Sequence, residues 1–367
     1  MKKPKVGIVT YHRAINYGAV LQAYALNKKI NMLGVTCDTI DYQCEAVDIQ
    51  YNYRTWKRCT SWKNFIAHNL TCLLRGRKKK SFSNFAKQFT MSVHCDRNNI
   101  QEATKAYDVF ITGSDQVFNP ICHRNDPTFF LDFVISGSKN CYAASLGSIA
   151  QFESSSIDVN ALLREFNGLS FREREASEYM EDVLKRKCLT VMDPVWFLNK
   201  EEWGKIALGK KKEPYIFVYN LMDYEYMRKY VRKLSKETGL PVVVTNRTII
   251  GDLKYIGSTN NKSNCSPAEF LGYIRDAEYV ITDSFHGTSL AILFEKMFCV
   301  ALNPAQNNTN SRLHTILNLT GLQARTIDED TLLCTLEDID YGVVKSKIED
   351  SVKDSELFLK SIIFVDT

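Results

Sequence analysis

The chain predicts an α/β fold of two Rossmann-like βα domains facing a cleft, on three observations. An apolar strand, Tyr279-Val-Ile-Thr282, runs straight into His286 and then a helix start. A matching strand end occurs earlier, where Ile111-Thr-Gly-Ser114 compares with Ile281-Thr-Asp-Ser284. Between them, Pro214 precedes a clean new strand at Tyr215-Ile-Phe-Val-Tyr219, so the βα pattern restarts. In open parallel sheets ligands bind at the carboxyl edge of the strands, which is where both polar strand ends would lie.

Taken in order, Val6–Thr10 reads as a first strand and Tyr17–Leu26 as a helix with apolar residues three and four apart. Asn16 is its candidate cap, and Gly18 is small enough to let the backbone approach a ligand. A second strand is expected near Val35–Ile40. Trp62, Phe65, Ile66, Leu70, Leu73 and Leu74 then recur at helical spacing before the basic run Arg75-Gly-Arg-Lys-Lys-Lys80, which reads as a solvated loop. Two uses fit that amphipathic stretch: packing on its own domain, or lying on an anionic membrane surface.

Further strands are expected at Val109–Thr112, Asn140–Ser145, Leu169 and Val191, with a helix over Val159–Phe166. The lysine-rich stretch Glu201–Lys212 places the domain boundary near residue 210. After it come a helix over Met222–Thr238, a strand at Val242–Thr245, and a helix opened by Ser266-Pro-Ala-Glu269, with its capping serine, first-turn proline and acid. The domains are thus residues 1–210, with an insertion near 55–90, and 211–345; a helix within 346–367 is expected to pack back on the first.

The 367 residues, 45% of them hydrophobic, suffice for two cores. A net charge of +5 does not imply nucleic acid, and aromatic and basic residues do not alternate as on a nucleic-acid platform. No apolar run is long enough to span a bilayer, and the charged start lacks a signal-peptide core. Eleven scattered cysteines without a Cys-x-x-Cys pair argue against a disulfide framework and suit a reducing cytoplasm. The six histidines form no metal-ligand spacing, and neither a Gly-x-x-x-x-Gly-Lys-Ser/Thr loop nor a Gly-x-Gly-x-x-Gly fingerprint follows the first strand, so no metal or cofactor is expected.

Laid in order, Asn16-Tyr-Gly-Ala-Val-Leu-Gln22, Gly113-Ser-Asp-Gln116, Ser170-Phe-Arg-Glu173, Asp193-Pro194, Asp283-Ser-Phe-His-Gly287 and Ser311-Arg312 resemble the polysaccharide pyruvyl transferase family over about residues 6–325. That family is similar in fold to glycosyltransferases of the GT-B type. The resemblance implies transfer of pyruvate from phosphoenolpyruvate to two hydroxyls of a sugar, giving a cyclic ketal and phosphate. The implied partners are phosphoenolpyruvate as donor substrate and a hexose acceptor, galactose-like, on a polysaccharide or undecaprenyl-linked precursor at the inner face of the plasma membrane.

The better understood branch of the family has arginine two residues before the motif histidine, where this chain has Ser284. The donor's anionic groups then need another cation, for which Arg312, Arg172 and Arg13 are candidates, beside the helix start at Gly287-Thr288. An imidazole titrates near about 6.5, so His286 suits a general acid. Asp115 is the candidate base for a sugar hydroxyl, and Asn16, Tyr17, Gly18, Ser114, Gln116, Ser284 and Ser311 complete the substrate-binding set. Two other functions fit the same frame: a glycosyltransferase using a nucleotide sugar, and a glycan-binding protein without turnover.

Overall fold

The computed structural model describes residues 3–48, 61–62, 65–66, 69–70, 73, 76–209, 213–222, 224–246, 260–262, 264–304, 310–330, 332–334 and 336–364. The chain divides into two compact units, Met1–Phe197 with Val352–Thr367, and Leu198–Ser351.

The first unit opens with β1 (Lys5–Val9), α1 (Tyr17–Met32) and β2 (Thr36–Thr39). After α2 (Gly76–Ala86) come β3 (Val109–Thr112) and β4 (Ser138–Cys141), and the four strands form a parallel sheet in the order β2-β1-β3-β4. Beyond β4 lie β5 (Ser170–Phe171), α3 (Arg174–Leu184) and β6 (Leu189–Thr190), with β5 and β6 paired in parallel. The central strands β1 and β3 are short apolar runs because both of their faces are covered. Val6, Ile8, Val109 and Ile111 enter one core with Leu26 and Ile30 of α1, while Val9 and Phe110 enter the other, the alternation that a pleated strand imposes.

The second unit starts with α4 (Lys200–Ile206), followed by β7 (Ile216–Asn220), α5 (Glu225–Thr238), β8 (Val242–Asn246) and β9 (Asn260–Asn261). Then come α6 (Pro267–Arg275), β10 (Tyr279–Thr282), α7 (Phe285–Leu293), β11 (Met297–Val300), α8 (Ser311–Thr320) and α9 (Tyr341–Ile363). Its parallel sheet runs β11-β10-β7-β8-β9. Ile216, Val218, Val244 and Ile281 pack on one face with α5, and Phe217 and Tyr219 meet Phe270 and Tyr273 on the other.

Three details differ from the sequence-based expectations. The division falls at Phe197–Leu198 and not near 210, because Trp203 buries α4 against the second unit and Leu208 N–H donates to the Ala268 carbonyl at 2.8 Å. The basic run is not a loop: residues 76–80 are the first turns of α2, which buries Lys78, Phe82 and Phe85. Cys299 and Cys334 form a disulfide across 35 residues, brought together because β11 and the segment around Leu332 share one core cluster. The chain of α9 belongs to both units, and its last turns place Leu359, Ile362 and Ile363 in the same core as β1 and β3.

Candidate functional site

In each sheet the strand order reverses direction at one place. β1 has β2 on one side and β3 on the other; β7 has β8 on one side and β10 on the other. The connections leave to opposite faces there, opening the sheet's carboxyl edge to a ligand. Residues singled out from the sequence cluster at both places.

At the β1/β3 edge the chain leaves β3 through Gly113, whose φ of 118° suits glycine, and Asp115 follows at φ 67°. A Cβ on Gly113 would stand 2.2 Å from the Tyr142 carbonyl oxygen. Ser114 is wholly buried: its N–H donates to Gln22 Oε1 at 3.0 Å, and its Oγ lies 2.7 Å from the Ala143 carbonyl and 2.9 Å from Asp193 Oδ2. Gln22 in turn donates to Thr10 Oγ1 at 2.8 Å, tying α1 to the end of β1. Across the gap Tyr11 Oη donates to the Gln116 carbonyl at 3.1 Å, and burial above all pushes its phenol well above the usual range, so it stays a donor. Gln116 Oε1 accepts from Asn119 at 2.8 Å. Asn16 caps α1 by accepting from Ala19 N–H at 3.4 Å, which sets Tyr17 and Gly18 in the first helical turn at this edge.

Arg172, only 3% exposed, sits at the centre of this unit's polar interior. Its Nη2 donates to Asp115 Oδ1 at 3.2 Å, Nη1 to Asp193 Oδ2 at 3.1 Å and Nε to Glu173 Oε1 at 3.2 Å. Burial works against its charge, but the carboxylates of Glu173, Asp115 and Asp193 outweigh that and hold its pKa above the ordinary arginine value. Three acids around one guanidinium leave no positive excess for an incoming anion. Arg172, expected among the donor-binding residues, therefore serves to fix Asp115. Asp115 Oδ2 has no hydrogen-bond partner among the described residues and is able to accept from a hydroxyl.

At the β7/β10 edge Asp283 joins the two strand ends. Its Oδ1 accepts from Leu221 N–H and its Oδ2 from Met222 N–H, both at 2.7 Å. Ser284 caps α7, accepting from Gly287 N–H at 3.3 Å, while Thr288 Oγ1 donates to the Ser284 carbonyl at 3.0 Å. Gly287 is required by packing, since a Cβ there would stand 2.5 Å from Thr282 Oγ1 and 3.1 Å from Tyr219 Cδ1. His286 thus occupies the second position of a tightly held helix start, 7% exposed, with its ring edge-on to Phe285. Ser284 stands where the related branch has arginine, and here that position caps the helix start instead of carrying charge.

Ser311 and Arg312 open α8, whose start is tied to the end of β11: Asn310 and Asn303 exchange hydrogen bonds of 2.9 and 3.0 Å. Because β10 and β11 are neighbouring parallel strands and α7 packs against α8, half-buried Arg312 belongs to the same carboxyl edge as His286. Arg13 is committed elsewhere. It donates to Asp41 Oδ1 at 2.8 Å, and Asp41 also meets His12 at 3.1 Å and His94 at 3.2 Å. Burial raises the Asp41 carboxyl, but His12 and Arg13 more than reverse this and hold it below the usual carboxylate range. Asp41, Asp193 and Asp283 all escaped the sequence-based site list. Asp193 and Asp283 stand inside the quoted motifs, and that position was the available signal.

A model of the polysaccharide pyruvyl transferase family matches residues 16–303. The chain belongs to that family. The match covers both sheet edges, from the Asn16 cap to Asn303 at the foot of α8. No curated protein matches the chain. Among solved structures, an alpha-glucosyltransferase in complex with UDP and a 13-mer DNA is similar at TM-score 0.51 and 8% identity, over 99% of this chain and 93% of that one. A putative UDP-N-acetylglucosamine 2-epimerase from Listeria monocytogenes is similar at TM-score 0.50 and 10% identity, over 98% and 91%. At such identities the likeness shows the fold class alone: two Rossmann-like domains of the GT-B kind.

Proposed function

We propose that this family member transfers a pyruvyl group from phosphoenolpyruvate to two hydroxyls of a hexose, galactose-like, in a polysaccharide or lipid-linked glycan precursor. The observation that carries the reading is the helix start at β7/β10, which presents His286 among backbone N–H groups suited to a phosphate or carboxylate. Arg312, on the adjacent helix start, supplies the cation that Ser284 does not.

In the reaction His286 protonates the methylene carbon of the donor, turning it into a methyl group. The neighbouring carbon accepts two sugar oxygens in succession while its C–O bond to phosphate breaks. Of the two hydroxyl protons released, one replaces the proton His286 gave and the other leaves on hydrogen phosphate. Asp115, fixed by Arg172 through one oxygen, accepts a hydrogen bond from an acceptor hydroxyl with the other. General acid catalysis of this type contributes about 10²–10⁴-fold.

The test is phosphate release from phosphoenolpyruvate across a panel of simple and lipid-linked galactosides, with product mass recorded for the wild type and His286→Ala. A product heavier by one pyruvyl ketal, formed at least about a hundred times more slowly by the variant, supports the reading. No ketal on any acceptor, with a thermal shift from a nucleotide sugar and none from phosphoenolpyruvate, would replace it with a glycosyltransferase.

A further inference from the structure

The amphipathic stretch before α2 resolves into two sides. Among its described helical positions, Phe65 and Asn69 are half-buried, whereas Trp62, Ile66, Leu70 and Leu73 are 60%, 45%, 52% and 64% exposed. Spaced by four, four and three residues, those four fall within an arc of about 80° on a helix of 3.6 residues per turn. A helix serving only its own domain would turn this stripe inward. Here these four apolar side chains face solvent, with Trp62 stacked on Phe65 at 5.6 Å.

Immediately after it, α2 exposes Arg77, Lys79 and Lys80. The opposite side of α2 is fastened to α1. Lys78 Nζ lies 4.6 Å from the centre of the Tyr17 ring, the Phe82 ring is 5.1 Å from Tyr17, and the Phe85 ring is 5.7 Å from Tyr24. Tyr17 is the first residue of α1, so the basic helix is braced on the element that forms the β1/β3 edge.

We propose that the first unit docks on an anionic phospholipid surface through Trp62, Ile66, Leu70 and Leu73 and the cations Arg77, Lys79 and Lys80, holding the Asn16–Gly18 edge beside a lipid-linked acceptor. An apolar stripe carrying tryptophan, next to a cluster of cations, is what a headgroup boundary of negative charge receives. The role given to docking rests on the proposed lipid-linked acceptor; the docking itself does not, and it is measured without donor or acceptor.

The full chain is sedimented with phosphatidylcholine vesicles and with vesicles holding about 30% phosphatidylglycerol, at low and high salt. Expected is binding to the anionic vesicles alone, weakening as salt screens the cations. The triple variant Trp62→Ser/Leu70→Ser/Leu73→Ser loses about tenfold or more of the partition, and Lys79→Glu/Lys80→Glu about tenfold. Both keep the wild-type melting temperature and full turnover on a soluble acceptor. Wild-type protein left in the supernatant overturns the proposal. So does a dimer in solution that the triple variant splits, because a second copy would then cover the stripe.

Discussion

Arg172 shows how a single side chain can look like a ligand-binding cation and be something else. Its three carboxyl partners are buried with it, so Arg172→Met strands them, and removal of one partner of a buried ionic group costs about 3–5 kcal/mol. The expected result is a large fall in urea midpoint for the first unit. A donor-binding arginine would instead raise the KM for phosphoenolpyruvate at unchanged stability. His123 gives a pH test. It is buried between Phe129 and Phe130 and accepts from Asp126 N–H at 2.9 Å through Nδ1. Burial, only partly opposed by Asp126, lowers its pKa to about 4. The unfolded chain then binds the proton more readily, so stability is full above about 6.5 and declines as pH falls toward 4, by up to about 3 kcal/mol at 1.36 kcal/mol per unit. Urea denaturation at pH 7 and pH 4.5 should show this slope, and His123→Gln should flatten it.

Helix starts and strand ends make the next scale. Ser284→Ala removes the α7 cap and should cost about 1 kcal/mol, a loss of a few degrees in melting temperature. Gly113→Ala is far more severe, since its Cβ would meet backbone at 2.2 Å and not a side chain able to move; no folded first unit is expected by circular dichroism. These elements were readable in the sequence because their signals are local. The Asn16 cap, the Ser266–Glu269 capping box and the strand running into His286 each fit within a few residues, and all are present. The Arg172 cluster was not readable: two of its three acids stand 57 and 21 positions away, and only the closing of the sheet brings them together. The same holds for Asp283, whose carboxylate serves a turn 61 and 62 positions earlier, and for the helical character of the basic run, which depends on Tyr17 for its packing.

For the whole molecule, the Cys299–Cys334 bridge closes 35 residues of the second unit. Cys334→Ser should lower that unit's stability by about 2–4 kcal/mol in oxidising buffer and by nothing once reductant has opened the bridge in the wild type. The end of α9 bears on the first unit. Leu359, Ile362 and Ile363 are buried with Val6 and Ile8, while Ser355 Oγ accepts from Met192 N–H at 2.9 Å. Leu359→Ala should therefore cost about 2–5 kcal/mol, read as a lower melting temperature with the second unit unaffected.

That closing contact also sets an order of events during translation. The ribosome delivers β1 well before residues 359–363, with the entire second unit synthesised in the interval; α1 covers part of the sheet face with Leu26 and Ile30 early, but the share that Leu359, Ile362 and Ile363 fill stays open until they have emerged. The earlier-made unit is thus completed last, and nascent chains must keep that gap in its core from other chains in the meantime.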